Sequence, residues 1–285
     1  MDLSIIIVNF NTKDLTNQTI DSIIKNTEGI SYEIVVVDNS INKSEQCTYE
    51  SSLVKVIPDV ENHGFGHACN IGADNSKGEI LLFLNSDTLV HDSSLSKCVD
   101  YIKGNEKVGA LGGRVLLKDG TLDHGCKRGF PTPEAAFYYY AGLDKRYPAS
   151  KKFGVYRQTF LNEFEINEVD SVSGAFLMVR RRLFNEAGRF DEAFFMYGED
   201  LDLCYRIKEK GYKIIYYPEA IITHLKGQSG LHKSSKFVIY HFYNAMIIFY
   251  NKHYKDKYNI ILTLLIYFAV KIKYWMTLLK RRSMT

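Results

Sequence analysis

Cysteine is sparse and scattered in this 285-residue chain. Cys47, Cys69, Cys98, Cys126 and Cys204 are an odd number with no Cys-x-x-Cys pair. That excludes a disulfide framework and a thiolate zinc site. No internal repeat or low-complexity linker breaks the chain. No Gly-Lys-Ser/Thr follows a glycine-rich turn, so there is no Walker A loop. The dinucleotide fingerprint is missing as well, since it should directly follow the first strand. Met1-Asp-Leu-Ser-Ile-Ile-Ile-Val8 has no basic n-region and runs straight into an apolar segment, which predicts a reducing cytoplasm. The longest uninterrupted apolar run, Ile260–Val270, is eleven residues. A bilayer span needs roughly 18–20.

What is present is a 46% hydrophobic, 24% charged composition, fitting one large α/β domain with an appendage. The net charge of +3 conceals an asymmetry. From Ala220 onwards there are eleven Lys or Arg and one acid, Asp256, a net +10. The first 219 residues therefore carry −7. A basic tail on an acidic body predicts an anionic surface as partner. No nucleic-acid motif accompanies the basic residues. Tyr274, Trp275 and flanking Lys and Arg suit a helix lying in the interface of the inner membrane leaflet. A core helix or a homodimer contact is the other use of such a segment.

Ser4–Val8, Glu33–Val37 and Ile80–Leu84 are continuous apolar runs, read as buried parallel strands, with Val54–Ile57 a shorter one. Helices over 13–27 and from the Asn62–Gly66 turn to about Asp74 alternate with them. Beyond residue 112 the pattern changes. A hairpin turning at Asp119-Gly120, an aromatic loop over 129–168 and strand-like residues around Ser173-Gly174 come first. A helix follows from Glu199 to Gly211, then strands at 212–217 and 220–223. Amphipathic helices over about 232–253 and 259–281 close the chain. The fold class is α/β, a mixed and mostly parallel sheet flanked by helices. The predicted division is 1–228 (one half to 112, another to 228) and a basic helical segment, 229–285.

In an open parallel sheet, ligands bind beyond the carboxyl ends of the strands. Those ends carry Asn9 and Asn11, Asp38, Asn85 and Asp87, and His224. Each alone reads as a cap or turn residue. Together with Glu199 and Asp200 at a helix start they predict a site on one rim. Were the ligand a nucleotide diphospho-sugar, Asp38 would accept from base or ribose, Phe10 would stack on the base, and the Asn62–Gly66 turn would bring backbone close. Asp87 offers a hard oxygen for Mg²⁺ or Mn²⁺, and His224 an imidazole that favours Mn²⁺. Asp202 and Arg206 are spaced to pair along the helix, whose stripe of Leu203, Cys204 and Ile207 faces the core.

The segments Ser4–Thr12, Val35–Ser40, Asn62–Gly72, Leu82–Thr88, Val172–Val179 and Phe190–Arg206 together resemble the inverting family 2 nucleotide-sugar glycosyltransferases of the GT-A fold. Where that family has Asp-x-Asp, this chain has Asn85-Ser86-Asp87. The resemblance implies donor contacts at Val8, Asn9, Phe10, Asn11, Asp38, Asn62, Gly64, Phe65, Asn70, Asn85 and Ser86. It implies a divalent cation on Asp87 and His224, Asp200 as catalytic base and Glu199 beside it. It would make 1–112 the nucleotide half and 113–228 the acceptor half. The segment Asp119–Pro131 is similar to rhamnosyltransferases of bacterial surface polysaccharides, implying dTDP-β-L-rhamnose as donor and a lipid-linked glycan acceptor. UDP-sugar enzymes share much of the pattern. A nucleotidyltransferase would need a basic glycine-rich loop after the first strand, which Asn9–Lys13 does not supply. A non-catalytic membrane scaffold would not need Asp38, Asp87, Asp200 and His224 together.

Overall fold

A computed structural model describes residues 1–58, 61–225 and 235–282. Its nucleotide half follows the sequence reading closely. β1 (Leu3–Asn9), α1 (Lys13–Asn26), β2 (Tyr32–Asp38), β3 (Val54–Pro58), α2 (Phe65–Asp74) and β4 (Ile80–Asn85) alternate. β-Branched runs buried on both faces form the parallel set β3-β2-β1-β4. The register sets Asn9 opposite Asp38 and Val8 opposite Asn85, so the polar strand ends do share one rim.

The second half adds β5 (Thr88–Val90), α3 (Ser94–Gly104), β6 (Val108–Leu117), α4 (Pro133–Tyr140), α5 (Leu143–Arg146), β7 (Asn167–Val169), β8 (Phe176–Arg180), α6 (Arg181–Glu186), α7 (Glu199–Glu209) and β9 (Lys213–His224). One sheet runs β3-β2-β1-β4-β8-β6-β9-β5, with β7 also on β9. β8 is antiparallel to both β4 and β6, which makes this half mixed rather than parallel. The two segments read as separate strands, 212–217 and 220–223, are one strand. A register shift between Gly113 and Arg114 takes up the irregularity next to Pro218. The hairpin at Asp119-Gly120 is reduced to a single bridge, Leu116 to Leu122.

α8 (Lys236–His253) starts at Ser235, whose Oγ accepts from Val238 N at 3.1 Å, and α9 (Ile260–Arg282) closes the described chain. α8 is not a loose appendage: Ala245, Phe249 and Tyr250 pack on Phe194, Leu201 and Tyr205 in a second core beside α7. The expected boundary at 228/229 lies outside the described residues. α9 has 23 residues, hence a length of about 35 Å. Two lysines interrupt its apolar sequence without ending the helix, so by length and composition it could cross a membrane, which the eleven-residue run alone did not suggest.

Candidate active site

Asn9 ends β1 wholly buried. Its Nδ2 donates to Asp38 Oδ2 (3.1 Å), Ser40 Oγ (2.9 Å) and Glu45 O (2.9 Å). Its Oδ1 accepts from Thr12 Oγ1 (3.0 Å) and Thr16 Oγ1 (2.9 Å). With its amide used up internally, Asn9 shapes the rim and does not reach a donor through its side chain. Asp38 also accepts from Ser40 N at 2.8 Å and from Cys47 N, so most of its capacity holds the loop after β2. Asn11 adopts φ +53°, and its Oδ1 accepts from Asn42 N at 3.2 Å. Val8 and Phe10 are half-buried on the same rim.

The turn before α2 serves the protein before any ligand. Asn62 Oδ1 accepts from Gly64 N at 3.0 Å. Gly64 has φ +108°, and a Cβ there would lie 2.4 Å from Phe195 O. Its glycine is required by the chain's own backbone at Phe195. Phe65 N donates to Phe195 O at 2.9 Å, and its ring packs edge-on against Phe190. Asn70 is likewise a strap: Nδ2 donates to Phe190 O (3.0 Å) and Glu192 Oε1 (2.9 Å), and Oδ1 accepts from Phe190 N (3.2 Å). Both residues hold the 190–196 segment that leads into α7.

At the end of β4, Asn85 N donates to Ala175 O at 3.2 Å, and Ser86 Oγ lies 3.1 Å from Thr12 Oγ1. Asp87 Oδ1 is 3.0 Å from His224 Nε2, and Asn85 Nδ2 is 3.3 Å from the same nitrogen. β5 delivers this meeting, since Thr88 pairs with His224. Asp123, which the sequence reading did not single out, faces the other ring nitrogen, with Oδ2 3.6 Å from Nδ1. That is long for a hydrogen bond but close enough for electrostatic contact. Burial works to lower His224, and Asp123 and Asp87 overcome it, lifting the imidazole to about 9. Among the described residues no cluster of three or more His, Cys, Asp or Glu is disposed to hold a metal ion. Asp87 and His224 nonetheless fit a divalent cation that takes its remaining ligands from phosphate and water, one hard oxygen and one imidazole being a donor set suited to Mn²⁺ or Mg²⁺.

α7 begins at Gly198 in the left-handed region, placing Glu199 and Asp200 in its first turn. Both are nearly buried. Asp200 Oδ2 accepts from Arg128 Nη2 (2.6 Å) and Gly174 N (2.9 Å), and Oδ1 accepts from Leu201 N (2.7 Å). Because Ala175 binds Asn85 and Gly174 binds Asp200, two adjacent residues tie the rim to the start of α7. Burial, and then the charge of Asp200, push Glu199 up to about 8. Glu199 Oε2 finds no hydrogen-bond partner among the described residues. The pair is thus divided into one carboxyl that keeps its proton and one that is held by charged and polar donors.

One turn on, Asp202 pairs with Arg206 as expected, at 2.8 and 2.6 Å. It also meets His253 Nε2 (2.7 Å) and Lys252 Nζ (2.9 Å) from α8. Burial raises Asp202, but His253, Arg206 and Lys252 prevail and hold it down at about 2. Concavities of about 450 and 580 Å³ lie around Arg189–Glu192 and between α1 and β9.

Known proteins resemble this chain in sequence and in fold. The chain is 26% identical over 219 residues to the low-salt glycan biosynthesis hexosyltransferase Agl10 of Haloferax volcanii, covering 75% of this chain and 64% of that protein. It is 28% identical over 211 residues to N-acetylglucosaminyl-diphospho-decaprenol L-rhamnosyltransferase of Mycobacterium tuberculosis, covering 70% of this chain and 68% of the other. Among solved structures, GalNAc-T7 with UDP, GalNAc and Mn²⁺ superposes with a TM-score of 0.56 at 20% identity, over 78% of this chain and 43% of that one. That likeness establishes the GT-A fold. The family model described as glycosyltransferase like family 2 matches residues 2–239, and the chain belongs to that family.

Proposed function

We propose that this chain is an inverting hexosyltransferase that moves L-rhamnose from dTDP-β-L-rhamnose onto a hydroxyl of a lipid-linked glycan. The observation that carries the reading is Asp200 at the start of α7: among the described residues two donors fill Oδ2, while Oδ1 accepts from Leu201 N and keeps one lone pair. In a single in-line displacement the acceptor oxygen attacks the anomeric carbon, its proton passes to Asp200, and the bond from that carbon to the diphosphate breaks. Glu199, buried and pushed up to about 8, stands beside Asp200 as a neutral carboxyl. Asp87 and His224 would hold Mn²⁺ or Mg²⁺, whose charge neutralises the departing diphosphate. The rim of β1, β2 and β4 receives the nucleotide, and residues 113–228 receive the acceptor. The rhamnosyl donor and lipid-linked acceptor are supported by the name of the Mycobacterium tuberculosis relative. The Haloferax volcanii name, a hexosyltransferase, leaves another nucleotide-linked hexose as the second donor class.

The setting we infer is the cytoplasmic face of a membrane. Ile261, Leu264, Leu265, Phe268, Ile272, Trp275, Met276 and Leu279 recur at helical spacing on α9, and all are exposed. Thr263 and Thr277, on the opposite face, hydrogen-bond to Tyr250 and Tyr243 of α8. An apolar stripe flanked by Lys271, Lys273 and Lys280 suits a helix lying in an anionic interface.

Purified protein with Mn²⁺ would be incubated with dTDP-rhamnose, UDP-glucose, UDP-galactose and UDP-N-acetylglucosamine, each with and without a polyprenyl-diphosphate N-acetylglucosamine acceptor. Transfer from dTDP-rhamnose, lowered about 10²–10⁴-fold in Asp200→Asn with nucleotide binding intact, is the expected result. Equal turnover by Asp200→Asn would remove it as base. Transfer from a UDP-sugar alone would overturn the donor.

A further inference from the structure

Arg128 reaches Asp200 from outside the nucleotide half. It sits in the segment between β6 and α4, 72 residues away in sequence. Its backbone exchanges hydrogen bonds with Ser171 in both directions, each 2.9 Å, and Nη2 also donates to Val172 O at 3.2 Å. The arm is therefore pinned to the same 171–174 segment that presents Gly174 N to Asp200. Two donors converge on Oδ2 from one rigid piece of chain, while Oδ1 receives only the adjacent Leu201 N. A carboxylate has about four lone-pair positions. Oδ2 has both of its own filled, and Oδ1 keeps one. Turning the carboxylate out of this plane means giving up the Arg128 and Gly174 contacts.

We propose that Arg128 is a positioning residue for glycosyl transfer: with Gly174 N it occupies Oδ2 of Asp200 and so keeps the open lone pair of Oδ1 directed at the acceptor hydroxyl. The inference rests on Asp200 being the base. Among the described residues, Glu199 and Cys204 of α7 and Tyr156 also act electrostatically with Asp200, and none of these is a cation. Within the described residues, removal of Arg128 leaves the backbone N–H groups of Gly174 and Leu201 to orient the carboxylate. A buried ion pair of this kind adds little to stability by itself, which is why a role in orientation is the better account of its place.

The test is steady-state kinetics of full-length Arg128→Gln and Arg128→Lys with Mn²⁺ and the donor and acceptor that wild type uses, together with a double-mutant cycle against Asp200→Asn. Arg128→Gln should lose about 100-fold in kcat, the scale of a misplaced catalytic group, with donor KM and nucleotide diphosphate Kd within twofold of wild type. Arg128→Lys, a single-point donor, should recover at least tenfold of that loss. Adding Arg128→Gln to Asp200→Asn should cost nothing more, because two residues acting as one unit are not additive. A kcat within threefold of wild type, a raised KM with unchanged kcat, or multiplying losses in the double mutant would overturn the proposal. Should Arg128→Gln not fold, as read by circular dichroism, Arg128→Lys with its own cycle decides: losses that multiply overturn the proposal, and losses that do not support it. Turnover by Asp200→Asn equal to wild type would instead overturn the base assignment itself.

Discussion

At the residue scale the site depends on neighbouring groups being forced into different states. Burial and the neighbouring Asp200 raise the Glu199 carboxyl to about 8, against 4.5 for a free glutamate side chain. Between those values the native state binds more protons than the unfolded chain, so stability falls as pH rises through the window. Glu199→Gln has no proton to lose. Its melting temperature should exceed wild type by an increasing margin from pH 5 to pH 8.5, followed by thermal denaturation; a constant margin would place Glu199 in water. Asp123 sets a second expectation. A carboxylate behind a ligating histidine orients the ring, and its loss typically weakens metal binding 10–100-fold. Asp123→Asn should shift a Mn²⁺ titration by that factor, read by calorimetry on protein with bound nucleotide diphosphate. Equal affinity would make Asp123 a turn residue and nothing more.

At the scale of elements, the start of α7 is held from three sides. Gly174 and Arg128 hold Asp200, the Phe195 carbonyl receives Phe65 N, and α8 holds Asp202 through His253 and Lys252. Asp202 is fully buried, so Asp202→Ala leaves Arg206 and Lys252 facing a vacated partner. Loss of one partner of a buried ion network costs roughly 3–5 kcal/mol, which urea unfolding would register. Gly64→Ala combines a strained φ with a clash on Phe195 O. It should cost roughly 1–3 kcal/mol and displace the 190–196 segment, so both stability and kcat should fall. A variant as active and stable as wild type would show that the turn tolerates a side chain.

At the scale of the whole molecule, α8 joins α9, with its exposed apolar stripe, to α7. Replacing Leu264, Leu265 and Phe268 together with Ser should abolish co-flotation with vesicles containing anionic lipid, while a soluble acceptor analogue is still used at the wild-type rate. Vesicle binding that survives the triple change would assign the stripe to another surface.

Strands, their polar ends and the Glu199 helix were legible from sequence because each is encoded locally. Ile5–Ile7 and Val35–Val37 are buried on both faces wherever they sit, and Gly198 stops the chain just before Glu199. The rim followed from topology rules for parallel strands. β5 and α3 were missed, β5 being only three residues long. Asn9, Gly64 and Asn70 were read as facing a ligand, and their polar atoms or backbone proved committed to the protein itself. Arg128 and Asp123 carried no local signal as partners of Asp200 and His224. Periodicity and turn chemistry act over a few residues and so are fully present in the sequence. Which cation meets Asp200 across 72 positions, and which carboxylate stands behind His224, is decided only when β8 inserts antiparallel beside β4 and brings 128, 174 and 200 to one point.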